Sequence, residues 1–178
     1  MTEHRYEKIY GWFNFQDIYR DVVAEASDGD HFVEVGAWLG KSASFMGVEI
    51  LNSGKNIKFD VVDTWKGSSQ VQLKYADEHD VYAEFLKNVE GLPVHPVRLP
   101  SVEAAKLYKD WSLYFVFIDA SHDYDNVKAD INAWLPKIKK GGIIAGHDYS
   151  DNRGGVKQAV QECFDNYEVI KSSWRVRL

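Results

Sequence analysis

A single cysteine, Cys163, in 178 residues excludes an internal disulfide and a metal site built from cysteines. Long apolar runs are missing too. None approaches the ~20 residues of a membrane-spanning helix, and the opening MTEHRYEKIYGW has no apolar core of the signal-peptide kind. Basic charge is scarce: 21 Lys and Arg stand against 27 Asp and Glu, a net charge of −6, which argues against a surface that grips nucleic acid. Repeats, low-complexity tracts and linker-like stretches are not found. What is present, 45% hydrophobic and 14% aromatic residues, is enough to close a core. The expectation is one cytoplasmic domain over 1–178, a helical segment at 1–30 and a ligand-binding core at 31–178, with no membrane or nucleic-acid partner.

Short β-type runs alternate with helix-period segments. Helices are expected at 14–26, 41–51, 76–89 and 155–164, with another carrying Val127, Ile131 and Trp134. Strands are expected at 31–36, 57–62, 94–99, 114–118 and 143–146, with Lys140-Gly-Gly142 as a stop before the last of them. The stretch 66–80 reads as a long polar loop. Ser101 reads as an N-cap, and Cys163 falls on an apolar helix stripe and should pack in the core. Strict alternation in Trp174-Arg-Val-Arg-Leu178 predicts a closing antiparallel hairpin. Repeated strand–helix units mean a three-layer α/β fold, a mostly parallel sheet between helices.

Ligands of such sheets bind beyond the carboxyl ends of the strands. The first such end reads Glu34-Val-Gly36-Ala-Trp-Leu-Gly40-Lys-Ser42. Its glycines miss the dinucleotide spacing, where Trp38 and Lys41 stand, and its Gly-Lys-Ser comes one residue early for a phosphate loop. Glu34 would repel a phosphate and suits a cationic amine or sulfonium. Asp63, ending the second strand, stands where a carboxylate commonly holds a ribose. Glu34 is equally readable as a paired carboxylate in the sheet, and Asp63 as a turn or cap residue.

On these residues the chain resembles the class I S-adenosylmethionine-dependent methyltransferases, with their Rossmann-like fold. The resemblance implies cofactor contacts at Glu34, Gly36, Gly40, Ser42, Asp63, Ser101 and Asp119.

The fourth strand ends Phe117-Ile-Asp119-Ala-Ser-His122-Asp-Tyr124 and the fifth Gly146-His147-Asp148-Tyr149. If these strands are neighbours, Asp119 and the His147–Asp148 pair share one edge. Adjacent carboxylates there call for a proton or a cation between them, and oxygen donors suit Mg²⁺ or Mn²⁺. A metal-bound hydroxyl ionises more readily, and His122 is placed to take its proton. His122 as a helix cap and Asp148 as a turn residue are the structural alternatives. FIDASHDYDNVKADINAWLPKIKKGGIIAGHDY is similar to a branch that includes metal-dependent sugar O-methyltransferases of antibiotic biosynthesis. The resemblance implies Asp119 and Asp148 as ligands, His122 as general base, and a small hydroxylated acceptor such as a sugar. His147, the candidate third metal ligand, stands where that branch has an acidic one, and a histidine there favours Mn²⁺, Fe²⁺ or Zn²⁺ over Mg²⁺.

Tyr6, Tyr10, Trp12, Phe13 and Trp65 could cover an acceptor or close the end of the sheet, and Arg153 could meet an anionic one. A homo-oligomer is compatible with a chain this short. A different Rossmann-like nucleotide enzyme and a non-catalytic binding domain are the competing readings.

Overall fold

The computed structural model describes residues 1–178, except the side chains at 153 and 154. Seven strands form one sheet in the order β3-β2-β1-β4-β5-β7-β6. The first five, β1 (His31–Val35), β2 (Lys58–Asp63), β3 (His95–Arg98), β4 (Leu113–Ile118) and β5 (Ile138–Gly146), are parallel. The expected hairpin is β6 (Glu168–Ile170) and β7 (Ser173–Arg177), with β7 antiparallel to β5. Strand β4 is buried along its whole length, as its unbroken Leu113–Ile118 apolar run requires.

The chain runs outward from β1 to β3, then returns to lay β4 on the other side of β1. That reversal opens a crevice at the carboxyl ends of β1 and β4. One face of the sheet carries α1 (Gln16–Glu25), α2 (Lys41–Ser53) and α4 (Val81–Asn88), packed around Tyr19, Phe45, Phe85 and Phe117. The opposite face carries α5 (Ser101–Ala105), α6 (Tyr124–Trp134) and α7 (Gly154–Cys163), around Ile131, Trp134 and Trp174. Cys163 is half-buried against this second cluster, at its margin and not within it.

Four local expectations are corrected. The polar stretch is not a loop throughout: α3 (Gln70–Glu78) forms in it, started by a capping box between Ser69 and Gln72. The helix expected at 76–89 is therefore two, parted where Asp80 caps α4 by accepting from the Ala83 amide at 3.0 Å. The Lys140-Gly-Gly142 stop lies inside β5, where Gly141 takes φ +79° beside a shift in register against β4. Such glycines bend a strand without ending it. Finally, Pro100 holds the N-cap position of α5, and the Ser101 hydroxyl accepts instead from Trp134 Nε1 at 2.9 Å. No helix among the described residues is long and apolar enough to cross a membrane.

Candidate active site

The crevice has a volume of about 860 Å³, within the range of small-molecule sites. Its floor is the carboxyl ends of β1, β2, β4 and β5. Its walls are the N-terminal segment Tyr10–Asn14, the turn after β1, and the start of α3. Gly36, Ser42, Asp63, Ser101, Asp119, His122, His147 and Asp148 all face it, eight of the ten residues singled out in the sequence.

The other two, Glu34 and Gly40, work from behind. Side chains alternate along a strand, so Glu34 shares with Phe32 the face covered by α1 and α2. It is 1% exposed, and its carboxylate accepts from the Ser42 hydroxyl, which stands between it and the crevice. Burial, with Asp119 and Asp63 adding like charge, pushes the Glu34 carboxyl up to about 8 against the Ser42 hydrogen bond. The folded chain therefore keeps a proton that the unfolded chain releases near 4.5, and this group costs stability increasingly as pH rises from 4.5 to about 8. Glu34→Gln keeps the Ser42 contact without the charge. Urea unfolding should show it more stable than the parent by a few kcal/mol, on the order set by the shift, at pH 8 and nearly equal at pH 5. A difference that does not vary with pH would contradict the assignment.

Gly36 takes φ +91°, and a Cβ there would lie 2.2 Å from the Asp119 carbonyl oxygen. The turn after β1 and the end of β4 touch backbone to backbone. Gly40 starts α2 in a left-handed conformation, with Phe85 beneath it. Asp63 holds the same turn: one carboxylate oxygen accepts from the Ala37 and Trp38 amides at 2.8 and 2.9 Å, the other from the Trp65 amide at 2.7 Å. Trp38, Trp65 and Asp148 sit at φ 50°, 53° and 57°. Left-handed backbone at bulky or acidic residues costs energy and tends to gather at functional sites.

Strands β4 and β5 are neighbours, with Ile118 opposite Gly146. Their ends bring Asp119, His122, His147 and Asp148 together. The two carboxylates face two imidazoles, which sequence reasoning treated as a base and a ligand and not as countercharges. His122 Nε2 lies 2.6 Å from Asp148 Oδ2 and 3.8 Å from Asp119 Oδ1. His147 Nδ1 lies 3.7 Å from an oxygen of each. The Asp119 and Asp148 carboxylates hold His122 up at about 9, and they raise His147 to about 9 against the opposing effect of its burial. His122 and His147 in turn hold Asp148 far below the usual carboxylate range. Donor atoms of Asp119, His122 and Asp148 lie within 4.8 Å of one another, so one cation can touch all three. The helix-capping role open to His122 belongs to Asp123, which accepts from the Asn126 amide at 3.1 Å.

Two residues of this site carried no signal in the sequence. Asn14 Oδ1 and Ser172 Oγ lie 2.8 and 3.0 Å from His147 Nε2. They come from the N-terminal segment and from the turn of the hairpin, and no local pattern links them. Tyr6 and Phe13 pack against the core and Trp65 is buried in it, whereas Tyr10 and Trp12 are exposed at the crevice mouth. Arg153 lies outside the described residues.

The sequence pattern of the methyltransferase-domain family matches residues 33–149. An uncharacterized protein y4gI of Sinorhizobium fredii is 32% identical over 89 residues, which is 49% of this chain and 10% of that protein. The chain thus spans about a tenth of the length of that curated relative. Among solved structures, the O-methyltransferase NovP superposes with a TM-score of 0.67 at 18% identity, over 91% of this chain and 78% of that one. CalS11, a TDP-rhamnose 3′-O-methyltransferase of calicheamicin biosynthesis, gives 0.61 at 14%, over 91% and 76%. Aeropyrum pernix fibrillarin with bound S-adenosyl-L-methionine gives 0.58 at 12%, over 85% and 67%. At such identities the structures establish the fold, and the pattern over 33–149 carries the rest: the chain belongs to the methyltransferase-domain family, with the fold of the class I S-adenosylmethionine-dependent enzymes.

Proposed function

We propose that this chain is an S-adenosylmethionine-dependent O-methyltransferase of a small hydroxylated acceptor, a sugar or glycoside first, assisted by a divalent cation. The observation that carries the reading is the meeting of Asp119, His122, His147 and Asp148 in one crevice, beside the glycine turn after β1. The crevice suits a cationic nucleoside. Asp63 and Asp119 line it, while Lys41, the one lysine among its described lining residues, gives its ammonium to the Gly11 carbonyl.

Gly36, Ser42, Asp63, Ser101 and Asp119 would hold the cofactor at the surface, with Glu34 and Gly40 supporting the turn from behind. Asp63 has about four acceptor sites, of which backbone amides take three, leaving one for a ribose hydroxyl. When bound, the cofactor would supply a methyl group carried on a sulfonium, with the thioether as leaving group. The chain's own part is to aim that oxygen and to remove its proton.

His122 is the group placed for the proton, but opposite two carboxylates it holds its own at neutral pH. The donor atoms of Asp119, His122 and Asp148 lie within 4.8 Å of one another, and His147 Nδ1 lies 3.7 Å from an oxygen of each carboxylate; Asp119 and Asp148, with His147 in place of a third acid, would hold Mg²⁺ or Mn²⁺. Such an ion would acidify the acceptor hydroxyl and offset the charge that keeps His122 protonated. The test is transfer of labelled methyl from S-adenosylmethionine to a panel of sugars and glycosides, with and without EDTA. Turnover lost in EDTA and restored by Mn²⁺ or Mg²⁺ is the expected result. EDTA-insensitive turnover would replace the cation by a His122–Asp148 dyad, which the 2.6 Å contact allows. Incorporation into none of the acceptors would contradict the proposal.

A further inference from the structure

The two histidines of the site are held differently. His122 Nε2 is in direct contact with an Asp148 oxygen, at 2.6 Å. His147 Nδ1 faces both carboxylates from 3.7 Å, too far for a hydrogen bond and close enough for a shared ion. Its other nitrogen is committed. Nε2 lies 2.8 Å from Asn14 Oδ1, an acceptor, so it carries the proton in the neutral ring. Asn14 is fixed in turn, its Nδ2 donating to Ser172 Oγ at 3.2 Å, and Ser172 Oγ lies 3.0 Å from the same Nε2. The ring is pinned further by Phe15, whose centroid is 5.0 Å away, and its side chain is only 13% exposed. With Nε2 committed to Asn14, Nδ1 is the nitrogen turned toward Asp119 and Asp148, and an ion between those carboxylates would take the place of the proton there. That is the arrangement by which a second hydrogen bond orients a metal-ligating histidine.

We infer that His147 is a nitrogen ligand through Nδ1, that Asn14 and Ser172 are its positioning residues, and that the centre therefore selects a nitrogen-tolerant ion of the Mn²⁺, Fe²⁺, Co²⁺ or Zn²⁺ class over Mg²⁺. This rests on the proposed cation at Asp119 and Asp148. Mg²⁺ keeps to oxygen donors, whereas imidazole suits the transition ions. The N-terminal segment and the C-terminal hairpin, far apart in sequence, thus set the choice of ion from outside the family pattern at 33–149.

The experiment is Mn²⁺ titration of the full chain followed by electron paramagnetic resonance, with Mg²⁺ as competitor. The intact protein should bind Mn²⁺ at least ~10-fold more tightly than Mg²⁺ and show nitrogen modulation of the bound Mn²⁺ signal. His147→Gln should lose the modulation, and His147→Asp should keep Mn²⁺ binding but lose both the modulation and the preference. Asn14→Leu should weaken Mn²⁺ ~10–100-fold, with Asn14→Asp, which retains the acceptor oxygen, close to the parent. Circular dichroism confirms that each variant is folded, and His147→Asp serves where Asn14→Leu is not. No bound ion in the intact protein would overturn both the cation and this inference. Ion binding without nitrogen modulation, or with modulation that survives in His147→Gln, would overturn the inference alone.

Discussion

Gly36→Ala is expected to unfold the chain or to lower its melting temperature by ~10 °C or more. Two independent costs fall on the same atom. The backbone there has φ +91°, which a residue with a Cβ resists, and the new Cβ would lie 2.2 Å from the Asp119 carbonyl oxygen and 2.7 Å from Ala120 Cα. Neither neighbour can yield, because Asp119 N donates to Val35 O at 2.7 Å and Gly36 N to Val62 O at 2.8 Å, fixing both strand ends. A loss of at least ~3–4 kcal/mol is a large share of the ~5–15 kcal/mol that holds a domain together, and in a chain of this length each kcal/mol moves the midpoint by ~2–4 °C. Gly40→Ala is the comparison. Its φ is also left-handed, at +82°, but the new atom would meet side-chain atoms of Phe85 and Val89, at 2.8 Å and beyond, and no backbone, so a smaller loss is expected. Thermal melts by circular dichroism decide, and equal midpoints for Gly36→Ala and the parent would contradict the close approach of β1 to β4.

His122→Ala should lower turnover by ~10² or more while leaving S-adenosylhomocysteine affinity within about twofold of the parent. The ring lies against Asp148 and Asp119, on the side proposed for the acceptor. It is absent from the turn after β1 where the cofactor is proposed to lie. Loss of both affinity and turnover would mean that His122 supports the crevice as a whole, and unchanged turnover would take the proton-accepting role from it. Because the substitution removes a countercharge from two carboxylates, folding is to be checked by the same melts.

The parallel strands with their closing hairpin were legible, and so, on condition that β4 and β5 are neighbours, was the meeting of Asp119 with Asp148, because each β-type run ends in its chemically distinctive residue and a parallel sheet gathers such ends on one edge. The position of Glu34 was not. The cofactor-contact reading put it at a strand end facing the crevice, but the pleat turns its carboxylate with Phe32 toward α1 and α2, one residue before the end of β1, in the paired, in-sheet setting of the alternative reading. Its buried, protonated character follows from that facing and has no trace in the Glu34–Gly36 spacing. Helix α3 escaped notice for a different reason: no side chain in it is buried, so it has no apolar period to read, and only the Ser69–Gln72 capping box marks it. Asn14 and Ser172 were invisible because hydrogen bonds across 133 and 25 residues leave no local signature. The crevice's charge balance was also hidden. From the sequence alone, the carboxylates seemed to lack a cation, whereas the fold sets an imidazole opposite each of them.

The central claim is that the crevice beyond β1 and β4 binds S-adenosylmethionine. Calorimetric titration of the intact chain with S-adenosylhomocysteine tests it most directly. Saturable binding of one molecule per chain is expected, displaced by S-adenosylmethionine, indifferent to NAD, and lost in Asp63→Ala. No binding to the folded protein, or binding that NAD displaces equally well, would contradict it.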